Sequence, residues 1–184
     1  MKNAVKKLDI VELNSRNLKD VNRADTTFEV RSRIIPRLEN GEFIYTQEEL
    51  TESFTKTYPP DELDYASYIN NPDKIIYLAY LENDIAGQII LRKNWNKFAY
   101  IEDISVSSKY RRNNVGTKLI KTSIVWAKKK QMRGIMLETQ DNNVPAVKFY
   151  ESCGFKLGGF DGYLYKGCGN PYEKEKALFL YLLF

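Results

Sequence analysis

Apolar positions along this chain recur with two periods, and the switches between them predict alternating strands and helices. Ile75 to Leu81 and Ile85 to Leu91 flank a turn at Glu82-Asn83-Asp84 and predict a β-hairpin. A second turn near Asn94-Trp95-Asn96 leads into a third strand, Ala99 to Val106, so three antiparallel strands are expected. Leu119, Ile120, Ile124 and Ala127 then mark one buried face of a helix that closes on Lys128, Lys129 and Lys130. Ile135 to Leu137, short and apolar after Gly134, predicts a buried strand that returns parallel to Ala99–Val106 through that helix. Asn142-Asn143 before Pro145 signals a helix start and Gly154 its stop, with Val147, Phe149 and Tyr150 between them. Phe155 onward and Leu178 to Leu183 supply the last two strands, separated by the glycine-rich, aromatic segment Gly158 to Pro171. The expected fold is α/β (α+β): a mixed, mostly antiparallel sheet with helices on both faces.

The amino-terminal third carries a weaker pattern. Lys7 to Leu13 alternates as a first strand, and Asn14 to Lys56 mixes helical patches with turns. Within it, Val30, Ile34, Ile35 and Leu38 suit a short amphipathic helix ended by Gly41. Pro59-Pro60 marks a break, and Asp61 to Asn70 suits another short helix stopped before Pro72. No repeat or low-complexity tract interrupts residues 1–184, so one domain is expected.

Composition narrows the chemistry. The 28 basic and 24 acidic residues are interspersed and leave a net charge of +4, too mild for a dedicated nucleic-acid binder. Neither a signal-peptide core nor eighteen consecutive apolar residues occur, so no membrane partner and a cytoplasmic location are expected. Cys153 and Cys168 form no metal-ligand series, so no metal is expected and reduced thiols are. The chain has no histidine, which removes Ser-His-Asp and Cys-His nucleophile pairs and imidazole as a general base. Proton transfer then falls to carboxylate, tyrosine, lysine, thiol or water.

The stretch Ser105 to Thr117 joins an apolar strand to a helix through a basic, turn-forming loop. A helix start offers unpaired N–H groups and partial positive charge, which suits an anion. Arg111 and Arg112 add full charges, and Asn114 and Gly116 tolerate positive φ and close backbone approach to a pyrophosphate. The segment by itself reads equally as an exposed turn with solvated arginines.

With these residues in view, the chain resembles the GNAT family of acetyl-CoA-dependent N-acetyltransferases from Ile75 to the carboxyl terminus. The family pattern Gln/Arg-x-x-Gly-x-Gly/Ala is matched by Arg111-Arg112-Asn113-Asn114-Val115-Gly116, with Asn114 where the family usually has glycine. A second motif, Asn143-x-x-Ala146-x-x-Phe149-Tyr150-x-x-x-Gly154-Phe155, resembles the family's carboxyl-terminal helix and following strand. The resemblance implies that the backbone of Ile104, Ser105 and Val106 pairs with the pantetheine arm of acetyl-CoA. It also implies that the loop Arg111, Arg112, Asn113, Asn114, Val115, Gly116 and Thr117 holds the pyrophosphate, and that Asn143 touches the cofactor. Within the family, Glu102-Asp103-Ile104, Leu137 to Asp141, Gly158 to Asp161 and Ala177 to Leu183 resemble streptothricin acetyltransferases, which acetylate an amine in the β-lysine part of the drug.

Acyl transfer to an amine needs the amine deprotonated, the carbonyl polarised and the departing thiolate protonated. With the cofactor between Ala99–Val106 and Ile135–Thr139, Glu138 suits the general base and, as the resemblance implies, Tyr150 the acid. Glu138 equally suits a solvated strand end; for Tyr150 the alternative is a core aromatic beside Phe149, which adjacent helical positions, pointing in different directions, make less natural than the acid role. Strand alternation is expected to put Glu102 and Asp103 on opposite faces, one of them bearing charge toward a cationic substrate. Asp141 and Asp161 extend that acidic surface, or are ordinary loop aspartates. Cys153 is expected to be a small buried residue rather than an acetyl carrier, which makes transfer direct in a ternary complex. The resulting expectation is an enzyme acting on a small-molecule amine and conferring antibiotic resistance. A protein N-terminal or lysine acetyltransferase and a non-catalytic acyl-CoA-binding module are the alternatives, and a homodimer stays open.

Overall fold

The computed structural model describes residues 7–58 and 62–184. The expected break at Pro59-Pro60, the start of the expected helix at Asp61, and Met1 to Lys6 lie outside them. In chain order the strands are β1 (Leu8–Glu12), β2 (Phe28–Glu39), β3 (Glu42–Lys56), β4 (Lys74–Leu81), β5 (Asp84–Lys93), β6 (Ala99–Val106), β7 (Gly134–Gln140), β8 (Lys156–Asp161) and β9 (Ala177–Leu183). The α-helices are α1 (Val115–Lys129) and α2 (Val144–Ser152). This is a mixed α/β fold of mostly antiparallel strands, and it divides into two compact units: residues up to 27 with 57–133, and residues 28–56 with 134–184.

In the first unit β1, β4, β5 and β6 pair in that order, all antiparallel. One face of this sheet packs Ile76, Leu78 and Ile90 with Leu13 and Tyr68, closed over by Leu18, Val21, Leu63, Tyr65 and Ile69. Helix α1 contacts β1, β4, β5 and β6. It buries Val115, Leu119, Ile120, Ser123, Trp126 and Ala127, while Ile124, expected on that face, is only half-buried. Each large apolar side chain so buried contributes roughly 1.5–3 kcal/mol. Among the described residues of the segment expected to be helical, Glu62 to Asn70, only a 3₁₀ turn forms, Tyr65–Tyr68. Its start is taken by the Asp64 carbonyl, which accepts both the Ser67 N–H at 3.1 Å and the Ser67 hydroxyl at 2.6 Å, a local bond that competes with helix propagation.

In the second unit β9 pairs with both β7 and β8, and β2 and β3 form a long hairpin. The helix expected from Val30, Ile34, Ile35 and Leu38 is therefore strand. Its period is two: Val30, Ser32, Ile34 and Pro36 are buried while Arg31 and Arg37 are exposed. Asn40 and Gly41, with φ of 52° and 83°, form the two-residue turn that such a hairpin requires, so Gly41 ends a strand rather than a helix.

Candidate active site

The first unit carries the loop expected to bind an anion. Tyr110 is buried and donates its hydroxyl to Asp84 at 2.5 Å, while Ser108 donates to Asp25 at 2.7 Å. The Ser108 hydroxyl, then the Thr27 N–H, hold the Asp25 carboxyl at about 2. Arg111 spends its guanidinium on the Thr27 and Val106 carbonyls, at 2.8 and 3.3 Å. Asn113 donates to the carbonyls of Tyr110 and Arg111. Arg111 and Asn113 thus shape the loop, and Arg112 is left exposed on it.

Positive φ falls at Arg112 (65°) and Asn114 (59°), while Gly116 lies within the first turn of α1 and is not among the left-handed positions. Asn114 precedes α1 without a side-chain cap, and the first intrahelical bond is Lys118 N–H to the Asn114 carbonyl at 3.0 Å. The N–H groups of Val115, Gly116 and Thr117 consequently have no intrahelical partner and suit a diphosphate. The loop residues therefore fit a nucleotide thioester.

The strand feeding this loop is irregular. Ile90 opposes Asp103 and Leu91 opposes Ile101, so Glu102 is an extra residue on β6. This overturns the expectation that Glu102 and Asp103 face opposite ways. Glu102 accepts from Tyr68 at 2.6 Å and Arg92 at 3.0 Å, and Asp103 accepts from Gln88 at 2.7 Å and Ser105 at 3.3 Å. Gln88 and Arg92 are both an even number of residues from Ile90, in the part of β5 that follows its irregularity at Ala86, so the bulge on β6 brings both carboxylates to the same face. That face also presents Tyr65 and Asn22, bonded to each other at 2.5 Å, and Tyr100, stacked under Arg92 at 4.8 Å. Ser105 is buried on this face, with the backbone of Gly87 so close that a Cβ there would sit 2.4 Å from the Ser105 carbonyl oxygen.

The second unit carries the expected acid and base. Glu138 lies on β7 opposite Phe179, and Tyr165 donates its hydroxyl to the carboxylate. Burial pushes the Glu138 carboxyl above its ordinary value, with Glu175 adding to the rise and Tyr165 and Lys56 opposing it. Asn143 begins α2, its side chain accepting the Ala146 N–H at 3.3 Å. Tyr150 is 7% exposed and packs against Phe149 and Phe155, ring centroids 5.4 and 5.7 Å away. The rings of Tyr150 and its chain neighbour Phe149 therefore pack together, as those of a core aromatic would.

Asp141 does not belong to an acidic surface. It is 3% exposed, exchanges backbone bonds with Lys176 and Ile34, and accepts the Lys176 N–H on its side chain at 3.2 Å. Asp161, at the end of β8, is half-buried and accepts the Tyr163 N–H at 2.7 Å. Lys56, Asn142, Tyr165 and Glu175 were not expected to take part. Lys56 and Glu175 are buried charges paired at 2.6 Å, a pairing between residues too far apart in sequence for any periodic pattern to reveal. Among the described residues no group of three or more His, Cys, Asp or Glu side chains is placed to hold a metal ion, and no helix is long and apolar enough to cross a membrane.

Comparison with known proteins places the chain in a family. The sequence pattern of the acetyltransferase (GNAT) family matches residues 43–155. Streptothricin acetyltransferase A of Bacillus subtilis is 41% identical over 95% of this chain and 99% of its own length. A streptothricin acetyltransferase of Escherichia coli is 41% identical over 62% of this chain and 67% of its own. A crystal structure of a Bacillus anthracis protein assigned as a streptothricin acetyltransferase, in complex with acetyl coenzyme A, superposes with a TM-score of 0.90. It is 48% identical and covers 97% of this chain and 100% of that one.

Proposed function

Since the chain belongs to the GNAT family of acetyltransferases, we propose that it moves the acetyl group of acetyl-CoA to an amine of a streptothricin-type antibiotic. The observation that carries this reading is the uncapped start of α1 below a loop with left-handed Arg112 and Asn114, in a chain so similar over its whole length to a streptothricin acetyltransferase. Residues 1–184 act as one N-acetyltransferase domain.

The N–H groups of Val115, Gly116 and Thr117, with the Arg112 charge, hold the diphosphate, and Arg111, Asn113 and Asn114 keep the loop in the shape that presents them. The backbone of Ile104, Ser105 and Val106 pairs with the pantetheine arm, and Asn143 contacts the same co-substrate. When bound, acetyl-CoA supplies a thioester carbonyl open to attack. Glu138 takes a proton from the attacking amine, and Tyr150 gives its phenolic proton to the departing sulfur. A half-buried carboxylate whose proton affinity is raised above the ordinary carboxyl value is the better suited to that acceptance. Glu102 and Asp103, on one face with Tyr65 and Tyr68, attract the cationic acceptor, and Asp161 adds negative charge at the end of β8. Transfer is direct, with the amine and acetyl-CoA bound together.

The test is free-thiol release from acetyl-CoA with streptothricin or a panel of peptides as acceptors. Release with streptothricin and not with peptides is expected. Release with peptides alone would replace the antibiotic by a protein acceptor, and binding of acetyl-CoA without release with any amine would leave only a binding module.

A further inference from the structure

The segment between β8 and β9 contains only two 3₁₀ turns, Lys166–Cys168 and Tyr172–Lys174, yet it is fastened at two points. Tyr165 donates its hydroxyl to Glu138. Farther on, Glu175 is 8% exposed and accepts the Lys56 ammonium on both oxygens, at 2.6 and 2.7 Å. Asn142, 8% exposed, donates to Glu175 at 2.9 Å and accepts from Lys56 at 3.3 Å, and the ammonium lies 5.3 Å from the Tyr172 ring centroid. Burying two charges costs more than their attraction returns unless both are closely hydrogen-bonded, as they are here. Such a cluster specifies one arrangement of three segments: the end of the hairpin, the turn before α2, and the chain leading to β9.

We propose that Tyr165 is a positioning residue for Glu138: its phenol fixes the orientation of the carboxylate and favours its charged form, and the Lys56–Glu175–Asn142 cluster fixes the segment that carries Tyr165. The inference rests on the reading of Glu138 as the proton acceptor. Within this unit the groups that act on Glu138 are Tyr165 and Lys56, which favour its charge, and Glu175, which disfavours it. Phe179, its partner across β9, adds none. Burial is the largest influence and opposes the charge. Loss of the phenolic hydrogen bond therefore raises the proton affinity of Glu138 further.

The experiment follows kcat against pH with streptothricin and acetyl-CoA saturating, where the low-pH break reports the group that must be ionised in the complex. Tyr165→Phe is expected to move that break upward by about one unit, a roughly tenfold loss of kcat below it and near-parity at high pH. A fluorotyrosine at position 165, a stronger donor, is expected to move it downward and serves where Tyr165→Phe does not fold. Glu138→Gln is expected to remove the break. A break that Glu138→Gln removes but neither change at 165 moves would overturn this inference and leave the role of Glu138 standing. A break that survives Glu138→Gln would overturn the role itself.

Discussion

Asn114 occupies a left-handed backbone position that glycine usually fills in this family, at φ 59° and ψ 14°. Asparagine visits that region at small cost, whereas a β-branched residue there is strained by about 1–2 kcal/mol. Asn114→Gly is expected to keep both fold and acetyl-CoA affinity. Asn114→Val is expected to lower the melting temperature by roughly 2–6 °C and to weaken acetyl-CoA binding, as calorimetry and titration would measure. A second residue-scale expectation concerns Glu138, whose raised proton affinity means that its charge opposes folding. The favourable contribution of the protonated form is fully present below the ordinary carboxyl value of 4.5 and is lost as pH rises through the higher folded value. Glu138→Gln should therefore raise the melting temperature at pH 7.5 by about 2–4 °C, with the gain vanishing near pH 4, while kcat falls at least about a hundredfold.

Strands β4, β5 and β6 and both α-helices were legible because each pairs a clear period with a turn or cap signal: Glu82-Asn83, Asn143 with Pro145, Gly154. The hairpin β2–β3 was not, because strands of 12 and 15 residues bury only one face in part, and Ile34-Ile35 puts two apolar residues side by side. Asn40-Gly41 was the available signal. Nor does sequence mark the bulge at Glu102, since an extra residue shifts pairing without changing the run of side-chain types. That shift decides which face the two carboxylates share, so strand alternation misplaced one of them. Gly87 supports the same strand from β5. A methyl group there would meet the Ser105 carbonyl oxygen at 2.4 Å, a backbone atom that only a displacement of β6 can relieve. Gly87→Ala is expected to weaken acetyl-CoA binding about tenfold or more and to cost roughly 1–3 kcal/mol of stability, read by chemical denaturation.

Across the whole molecule, the residues proposed for diphosphate binding belong to the first unit, and the proposed acid and base to the second. The same partition places the loop anchors Asp25, Thr27, Ser108 and Tyr110 with the former, and the Lys56–Glu175–Asn142 cluster with the latter. Each unit therefore holds the residues proposed for its share of the chemistry through bonds internal to it. Substitutions should then divide by kinetic constant rather than by distance along the chain, because a group that binds equally in ground and transition states alters KM, and one used only in the transition state alters kcat. Arg112→Ala removes one full charge from the anion site and is expected to raise the acetyl-CoA KM about tenfold, an effect that grows as salt is lowered, with kcat nearly unchanged. Tyr150→Phe keeps the packing against Phe149 and Phe155 and removes only the donated proton, so kcat should fall by about 10²–10⁴ while acetyl-CoA affinity by titration stays within a factor of two or so. Steady-state kinetics on both variants, at two salt concentrations, checks the division: a fall in kcat for Arg112→Ala equal to that of Tyr150→Phe would place the arginine in the chemical step instead of in binding.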